Sequence, residues 1–398
     1  MQFDNARFQK SAYINQGISM NLKRISIAAA VTGFASASAY AQSSVTLYGS
    51  LDASIAYVNK VAGKSLVAQT NGDLSSDYWG LRGAEDLGGG NHAIFKLESG
   101  FNIGNGQAGQ WFNTGASQGL FNRQAYVGLA SDGLGTITLG RQYDSVVDYL
   151  SPLTLAGKGV NLAAHPFNND NIGTQYSVSN AVKYQSIDYA GLQFGGDYAF
   201  SNSTSFAAGR QWSVGASYGN GPLKLGAVYD QLNGNTTGAL AGAATGDGES
   251  ITAATQRIFG VGGNYTIGAL TADLVWTRSQ YQGVTSLSNG SLRFDNVEAS
   301  GVYGLTPSLI LVGAYTFTAG HTAIGGTSSS PRWHSFALGA DYSLSKRTDL
   351  YLASVYQHTS SGQAGEPAVL NATDIAGYIP ASGTASQFAI ASGIRHRF

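Results

Sequence analysis

The strongest constraint on the fold of this chain is a regular alternation of apolar and polar residues, which residues 44–57 show most clearly. Successive side chains of a β-strand point to opposite faces. A strand here would therefore present Val45 and Leu47 on one face, and Ser50 and Asp52 on the other. A dry protein core and a lipid acyl chain would both select such an apolar face, so the alternation alone leaves two environments open.

Alternating segments of about ten residues recur along the whole chain, as in residues 92–101, 211–219 and 387–398. No segment keeps the 3.6-residue period of a helix. The connectors between them alternate in length, and the short ones have the composition of tight hairpin turns. The seven short connectors are residues 86–91, 131–135, 188–191, 220–223, 267–270, 304–308 and 343–349, and the long polar ones include 103–119, 143–180, 232–255 and 358–386.

The composition indicates a wall with one apolar and one polar face. Charged residues make up 11% of the chain, whereas soluble domains contain about 25%. The mean hydropathy is −0.06, and the one long apolar run lies near the N-terminus, which excludes a bundle of transmembrane helices. Glycine is frequent, with 54 residues, as are tyrosine and phenylalanine, with 22 and 17.

Short turns at one rim and long loops at the other are the layout of an outer-membrane barrel. The predicted fold is therefore all-β, a transmembrane antiparallel β-barrel of about sixteen strands. Its apolar face touches lipid and its polar face lines water, and closure pairs every backbone group without leaving an edge strand. A secreted β-sandwich or lectin-like domain also alternates, and remains the competing interpretation.

The N-terminus has the features of an export signal. In residues 20–41, Lys23 and Arg24 precede an apolar stretch, and Ala39-Tyr40-Ala41 forms a small-x-small cleavage site before Gln42. The sequence thus predicts an upstream start extension at residues 1–19, a signal peptide at 20–41, and a mature chain at 42–398 that leaves the cytoplasm. An N-terminal helix kept in the mature fold is the alternative.

Several functional classes have no support in the composition. The absence of cysteine excludes disulfides, thiolate metal sites and a cysteine nucleophile. Without residues 1–41 the chain has 18 basic and 22 acidic residues, a balance that gives no support for nucleic-acid binding. The six histidines lack metal-ligand spacing. We expect no cofactor, no metal and no catalytic residues.

Four blocks of sequence resemble the general porins of Gram-negative β-proteobacteria: SSVTLYGSLDASIAY, WGLRGAEDLGGGNHAIFKLESGF, NRQAYVGLASDGLGTITLGRQYD and the ending SGIRHRF. The resemblance covers the mature chain and is weakest in the long loops. It implies a homotrimer of sixteen-stranded barrels in the outer membrane, through which small hydrophilic solutes and ions diffuse passively. Outer-membrane lipid and lipopolysaccharide would surround it, and Phe398 would be the aromatic C-terminus that the barrel assembly machinery receives.

The resemblance further implies that the third extracellular loop, here about residues 143–180, folds inward and constricts the pore. This loop is the longest connector, and unlike the others it contains many apolar residues, such as Val146, Leu150 and Leu162. A loop packed inside a barrel needs such residues, whereas a loop exposed to the medium does not. A long surface loop with its own small core is the alternative.

Alternation predicts which charges line the lumen. If Leu81, Leu97 and Tyr184 face lipid, then Arg82, Lys96, Glu98 and Lys183 face inward. We place Arg123 and Arg141 inside as well, because a cation on the lipid face at mid-bilayer costs about 2–4 kcal/mol and because the family has basic residues there. The candidate basic ladder of the wall is Arg82, Lys96, Arg123, Arg141 and Lys183.

In the family, loop carboxylates oppose the basic wall and create a transverse field. The corresponding carboxylates here are Asp144, Asp148 and Asp170. Fixed charges at close quarters set ion selectivity, and we expect a weak preference for anions. Tyr78 stands where relatives often have arginine, which weakens this expectation. Alternatively, a single arginine could serve only as a structural ion-pair partner, for example Arg82 with Glu85 or Glu98.

Three other functions stay open at this point. A solute-specific channel could use the same fold, and long loops could make the protein a surface adhesin or an immune-interaction protein. An outer-membrane enzyme would need a serine–histidine pair on the lipid-facing wall, and the sequence shows none at matching parity.

Overall fold

The computed structural model describes residues 44–109, 119–174, 176–204, 206–235, 251–360, 373, 375 and 382–398. The predicted extension at 1–19, the predicted signal peptide and its cleavage site at Ala41 and Gln42 lie outside the described residues. Among the described residues, no helix combines the length and the apolar character that a membrane crossing requires.

The chain forms one antiparallel sheet of eighteen segments, and because the first segment also pairs with the last, the sheet closes into a barrel. The segments are β1 (Ser44–Val61), β2 (Lys64–Asn71), β3 (Tyr78–Gly88), β4 (Asn91–Gly100), β5 (Gln124–Ser131), β6 (Gly135–Gln142), β7 (Val178–Gln185), β8 (Leu192–Ala199), β9 (Gln211–Asn220), β10 (Leu223–Asn235), β11 (Ala253–Ile267), β12 (Leu270–Val284), β13 (Gly290–Thr306), β14 (Leu309–Ile324), β15 (Thr327–Ser329), β16 (Arg332–Ser343), β17 (Thr348–Ser360) and β18 (Ser386–Arg397).

Two pairs of these segments each make up a single strand of the barrel wall. β2 pairs with the second half of β1 and β3 with its first half, so together they form one strand that residues 72–77 interrupt. β15 and β16 share β14 in the same way. The wall therefore has sixteen strands, as the sequence predicted.

All seven predicted short turns join neighbouring strands at one rim of the barrel. The expectation of long connectors at the other rim is wrong at three places, where β1 turns into β2, β12 into β13 and β14 into β15 within five residues or fewer. Positive φ angles at Ala62 and Gly63 and at Gly325 and Gly326 allow the two tightest of these turns.

The alternation in β1 has the predicted orientation. Val45 and Ile55 are 64% and 67% exposed on the outer surface, whereas Asp52 and Ser54 are buried on the inner one. Exposed leucine, valine, isoleucine and aromatic side chains continue around the other strands. The apolar face is thus the outside of the barrel, which is the reverse of a sandwich with a dry interior.

Residues 143–177 connect β6 to β7 and fold into the barrel; we call this segment the inner loop. It contains a π-helical turn, Val146–Leu150, and 3₁₀ turns at Ser151–Leu153, Asn161–Ala163 and Pro166–Asn168; a further 3₁₀ turn, Thr285–Leu287, joins β12 to β13. Most apolar side chains of the inner loop are buried in one cluster with wall residues such as Ile258 and Val275, and Phe167 packs in a second cluster with Phe294 and Trp333. The inward-folded loop predicted from the sequence is therefore present.

Glycines on the inner wall make room for the first turn of the inner loop. Gly195 pairs with Gly215 across β8 and β9, and Gly260 lies two strands beyond Gly215, on β11, with Val228 of β10 between them. A β-carbon on Gly195 would overlap the hydroxyl of Tyr149, one on Gly215 would overlap its ring, and one on Gly260 would overlap Leu150. Close approach of the loop to the wall therefore depends on residues without a side chain.

A buried network fixes the middle of the inner loop to β12 and β13. Nδ1 of His165 lies 2.6 Å from Asp170, and Nε2 lies 3.2 Å from Glu298 on β13. Thr277 and Asn296 donate hydrogen bonds to the Asp170 carboxylate from the wall. Glu298 also accepts a hydrogen bond of 2.8 Å from the backbone N–H of Leu155.

This network contains a charged histidine. Burial alone would lower the pKa of His165, but the Asp170 and Glu298 carboxylates at its two nitrogens raise it to about 10. Burial would raise the pKa of Asp170, yet His165 and the Thr277 hydroxyl hold it below its usual value. The imidazolium therefore neutralises carboxylates that could not stay charged in a dry site alone.

Replacing Gly215 with leucine should push the inner loop away from the wall. Overpacking costs about 1–3 kcal/mol, and we expect a lower unfolding temperature together with an altered single-channel conductance in planar bilayers. The matched control is Gly219→Leu on the same strand, because a β-carbon there meets no atom within 4 Å. Equal conductance of the two variants would contradict the proposed contact.

The His165 network should make stability depend on pH. The raised pKa of His165 stabilises the fold fully below the ordinary value of about 6.5, and the effect is lost as the pH rises through about 10. The lowered pKa of Asp170 acts above about 3.9 and is lost at lower pH.

We therefore expect the unfolding temperature of wild type to exceed that of His165→Gln most strongly between about pH 4 and pH 6.5, the ordinary pKa values of the two groups. The difference should shrink toward pH 10. Thermal unfolding in detergent, followed by circular dichroism across this range, measures it. A difference that stays constant from pH 6 to pH 10 would contradict the assignment of a charged His165.

Candidate functional site

The basic wall of the barrel is organised around one carboxylate. Glu98, near the end of β4, accepts a hydrogen bond of 2.6 Å from Nε of Arg123 and forms an ion pair with Nζ of Lys96 at 3.1 Å. The hydroxyl of Tyr48 on β1 donates a third bond of 2.9 Å. The side chain of Glu98 is 4% exposed, whereas that of Lys96 is 24% exposed. Lys96 is thus more accessible to the water of the lumen than the carboxylate with which it pairs.

Arg82 lies beside this group without a carboxylate of its own. Its guanidinium carbon lies 5.1 Å from the centre of the Tyr48 ring, a cation–π distance, and its side chain is exposed. Among the residues that the structure describes, no carboxylate lies within ion-pair distance of it. Arg82 and Lys96 line an open recess together with Thr46 and Tyr126.

Arg123 is held from both sides by rings. Its guanidinium lies 4.8 Å from the ring of Tyr78 and 5.8 Å from that of Tyr143, where the inner loop begins. Arg123 is buried, and its ion pair is with Glu98. The expected structural ion pair therefore exists, but with Arg123 as the partner instead of Arg82. Tyr78 contributes an aromatic face to this side of the site.

The first two loop carboxylates are in contact with groups next to them. Asp148 forms an ion pair with Lys183 of β7, whose ammonium also donates a bond of 2.9 Å to the carbonyl of Tyr143. Asp144 accepts bonds from the backbone N–H of Val147 and from the Asn171 amide. Burial raises the pKa of Asp144 to about 6, and it also raises that of Asp148, which Lys183 partly offsets.

Asp170, the third loop carboxylate, belongs to the His165 network. Lys158, in the middle of the loop, forms an ion pair with Asp273 of the wall. Arg141 donates 2.7 Å and 2.8 Å bonds to the Asn122 carbonyl and the Ser179 hydroxyl, which tie the ends of neighbouring strands together. The candidate residues thus divide into a group around Glu98, an ion pair at Lys183 and a strand-end contact at Arg141.

Sequence reasoning missed a second charged group on the last strand. Arg395 donates to Asp341 and Asp349 at 2.8 Å and 2.9 Å, and Arg397 contacts Asp349 as well. The sequence signal was the alternation of β18: if Ile394 faces outward, its neighbour Arg395 faces inward. In the structure Ile394 is indeed 46% exposed on the outside. Arg397 follows at the same parity. Tyr48 was missed for another reason, since its partners lie on other strands.

Comparison with known proteins identifies a family. The sequence profile described as Gram-negative porin matches residues 27–362. An outer membrane porin protein of Bordetella pertussis is 33% identical, and the alignment covers 84% of this chain and 94% of the relative. Two structures share the fold: an anion-selective porin from Comamonas acidovorans (TM-score 0.68, 24% identity, covering 90% of this chain and 100% of that one), and a trimer form of OmpT of Vibrio cholerae (TM-score 0.61, 15% identity, covering 89% and 99%).

The match spans most of the chain, and the relative shares about a third of its residues over nearly its whole length. The closed sixteen-stranded barrel and the loop inside it agree with this relationship. The chain therefore belongs to the Gram-negative porin family and is a porin of the outer membrane.

Proposed function

We propose that this porin is a general diffusion channel, without catalytic activity, that passes small hydrophilic solutes and ions and weakly prefers anions. One observation carries the preference: Lys96 and Arg123 share the single buried carboxylate of Glu98, and the exposed Arg82 lies beside them over the ring of Tyr48. A solute in the recess meets the exposed cations first. The relative from Comamonas acidovorans, which is described as anion-selective, supports the same direction.

The other charges of the site weaken one another. Asp148 and Lys183 form a pair, and so do Lys158 and Asp273, so each contributes little net field. Arg82 therefore has the largest expected influence, because it is exposed and is balanced by no carboxylate within ion-pair distance among the described residues. Mobile ions in the lumen screen the charge of Arg82, and we therefore expect the preference for anions to be weak.

Reversing the charge of Arg82 should reduce the anion preference. Arg82→Glu changes the charge of the wall by two units. In water, this change acts on a monovalent ion about 8 Å away with an energy of about 1 kcal/mol before screening. We therefore expect the permeability ratio of chloride over potassium to fall about two- to fivefold. The reversal potential of the purified protein in a KCl gradient across a planar bilayer measures this ratio.

Lys346→Glu is the matched control, because Lys346 carries the same charge in an exposed turn between β16 and β17. We expect a much smaller change there. A wild-type channel that prefers potassium would overturn the proposed anion preference. An unchanged ratio in Arg82→Glu would show that Arg82 does not line the narrow part of the pore.

We also propose a homotrimer, since a structural relative forms a trimer. Phe398 is a candidate signal for the barrel assembly machinery: its backbone pairs with Gly49 in both directions at 3.1 Å, and its ring covers Gly49 on the outer face. Removal of residues 20–41 as a signal peptide, and contact with outer-membrane lipid and lipopolysaccharide, complete the proposal.

A further inference from the structure

A cavity of about 360 Å³ lies between the inner loop and the barrel wall, near the rim that carries the short turns. Residues 158–160 of the inner loop cover it, and the inner faces of β12, β13, β14, β16, β17 and β18 form its floor. Cavities of about 300–1,000 Å³ hold small organic molecules. The cavity lies on other strands than the group around Glu98, so it is a separate site in the lumen.

The floor of this cavity is apolar, although it faces the inside of the barrel. Val302, Val312, Gly339 and Ala353 lie in register across four neighbouring strands, and Ile310 continues the inner face of β14 toward the rim. A β-carbon on Gly339 would lie 3.0 Å from a methyl group of Val312, so glycine keeps the floor open there. Apolar surface in contact with water is stabilised when a solute covers it. The floor therefore favours a solute with an apolar part.

A carboxylate without a full set of partners borders the floor. Asp341 accepts a hydrogen bond of 2.8 Å from Arg395 at Oδ2, but its Oδ1 is buried and has no hydrogen-bond partner in the part of the chain that the structure describes. A buried acceptor without a donor is costly. The Asp341 side chain as a whole is 20% exposed and lines the cavity, so its carboxylate can accept a hydrogen bond from a solute there.

Arg397 supplies the opposite charge at the same cavity. Its Nη2 contacts Asp349, while its side chain is 47% exposed and lines the cavity. A guanidinium has five N–H donors, so Arg397 can bind a further carboxylate in addition to Asp349.

The fixed charges around the cavity balance one another. Among the described residues, three cations and three carboxylates form ion pairs at its border: Lys158, Arg395, Arg397, Asp273, Asp341 and Asp349. A site without net formal charge favours neither a simple anion nor a simple cation. It favours a solute that carries both a donor for Asp341 and an acceptor for Arg397.

We propose that this cavity binds a zwitterion with an apolar side chain, of the size of a single amino acid. The ammonium group of the solute donates to Asp341, its carboxylate accepts from Arg397, and its side chain covers the floor at Val312. The proposal goes beyond the proposed diffusion function, because it assigns a solute-binding site to a part of the lumen away from the basic wall.

The test is a calorimetric titration of the purified protein, folded in a neutral detergent, with four probes. L-Leucine carries all three groups that the cavity matches. Glycine lacks the apolar side chain, isocaproate lacks the ammonium group, and isoamylamine lacks the carboxylate. This series uses the unaltered protein, so its outcome is independent of the folding of any variant.

Two variants assign the binding to the cavity. Asp341→Asn keeps the shape of the side chain and leaves Arg395 its contact with Asp349. Val312→Thr keeps the branched shape and makes the floor polar. The matched control is Asp132→Asn, which removes one negative charge from an exposed turn at the same rim.

We expect wild type and the control to bind L-leucine alike. Asp341→Asn should bind it about tenfold more weakly, because a hydrogen bond between charged groups is lost. Val312→Thr should bind it about three- to tenfold more weakly, because a hydroxyl replaces apolar surface. Glycine, isocaproate and isoamylamine should each bind wild type at least about tenfold more weakly than L-leucine does.

Equal binding of L-leucine by wild type and Asp341→Asn would overturn the proposal. Isocaproate or isoamylamine binding as tightly as L-leucine would overturn it too, because the solute would then need only one charge. Single-channel conductance in KCl without a probe tests the channel function independently. A wild type that conducts but binds no L-leucine would therefore refute this site alone.

Discussion

Closure of the backbone hydrogen bonds is the constraint on which the rest of this structure depends. In hydrocarbon each unpaired N–H or C=O costs several kcal/mol, so a sheet can cross the bilayer only when its first and last strands pair. Here β1 and β18 pair from Ser50 and Arg397 to Val58 and Ala389. Once the sheet is closed, each strand has one face in lipid and one face in the lumen. Every second side chain therefore points inward, where it contacts either water or the inner loop.

The interior has to accommodate both a packed loop and a passage for water. The inner loop solves the first problem with apolar side chains, the glycine positions at Gly195, Gly215 and Gly260, and the charged His165. His165 neutralises Asp170, and Lys183 neutralises Asp148, whereas Asp144 is bound by the backbone N–H of Val147 and the amide of Asn171. Among the wall cations of the site, Arg82 has no carboxylate within ion-pair distance in the part of the chain that the structure describes.

Much of the fold follows from the sequence because alternation and turn composition are local signals. The seven short turns and the sixteen strands could be read directly. The ion pairs could not, because they depend on distant partners: His165 is bound by Asp170, five residues away, and by Glu298, 133 residues away. For the same reason, the family resemblance implied loop carboxylates opposite a basic wall, and the direct contact between Asp148 and Lys183 could not be read from the sequence.

Arg257 of β11 lies on the outer face of the barrel, because its neighbour Ile258 is fully buried inside. A cation on the lipid face costs about 2–4 kcal/mol at mid-bilayer, but this cost falls to about 0–1 kcal/mol near the interface. Alternation gives the face of a residue, and its distance from the turn gives its depth. Arg257 and Arg82 thus obey one rule: Arg82 faces the water of the lumen, while Arg257 faces outward at a depth where headgroups replace hydrocarbon. Arginine on a barrel strand needs both coordinates before its role can be assigned.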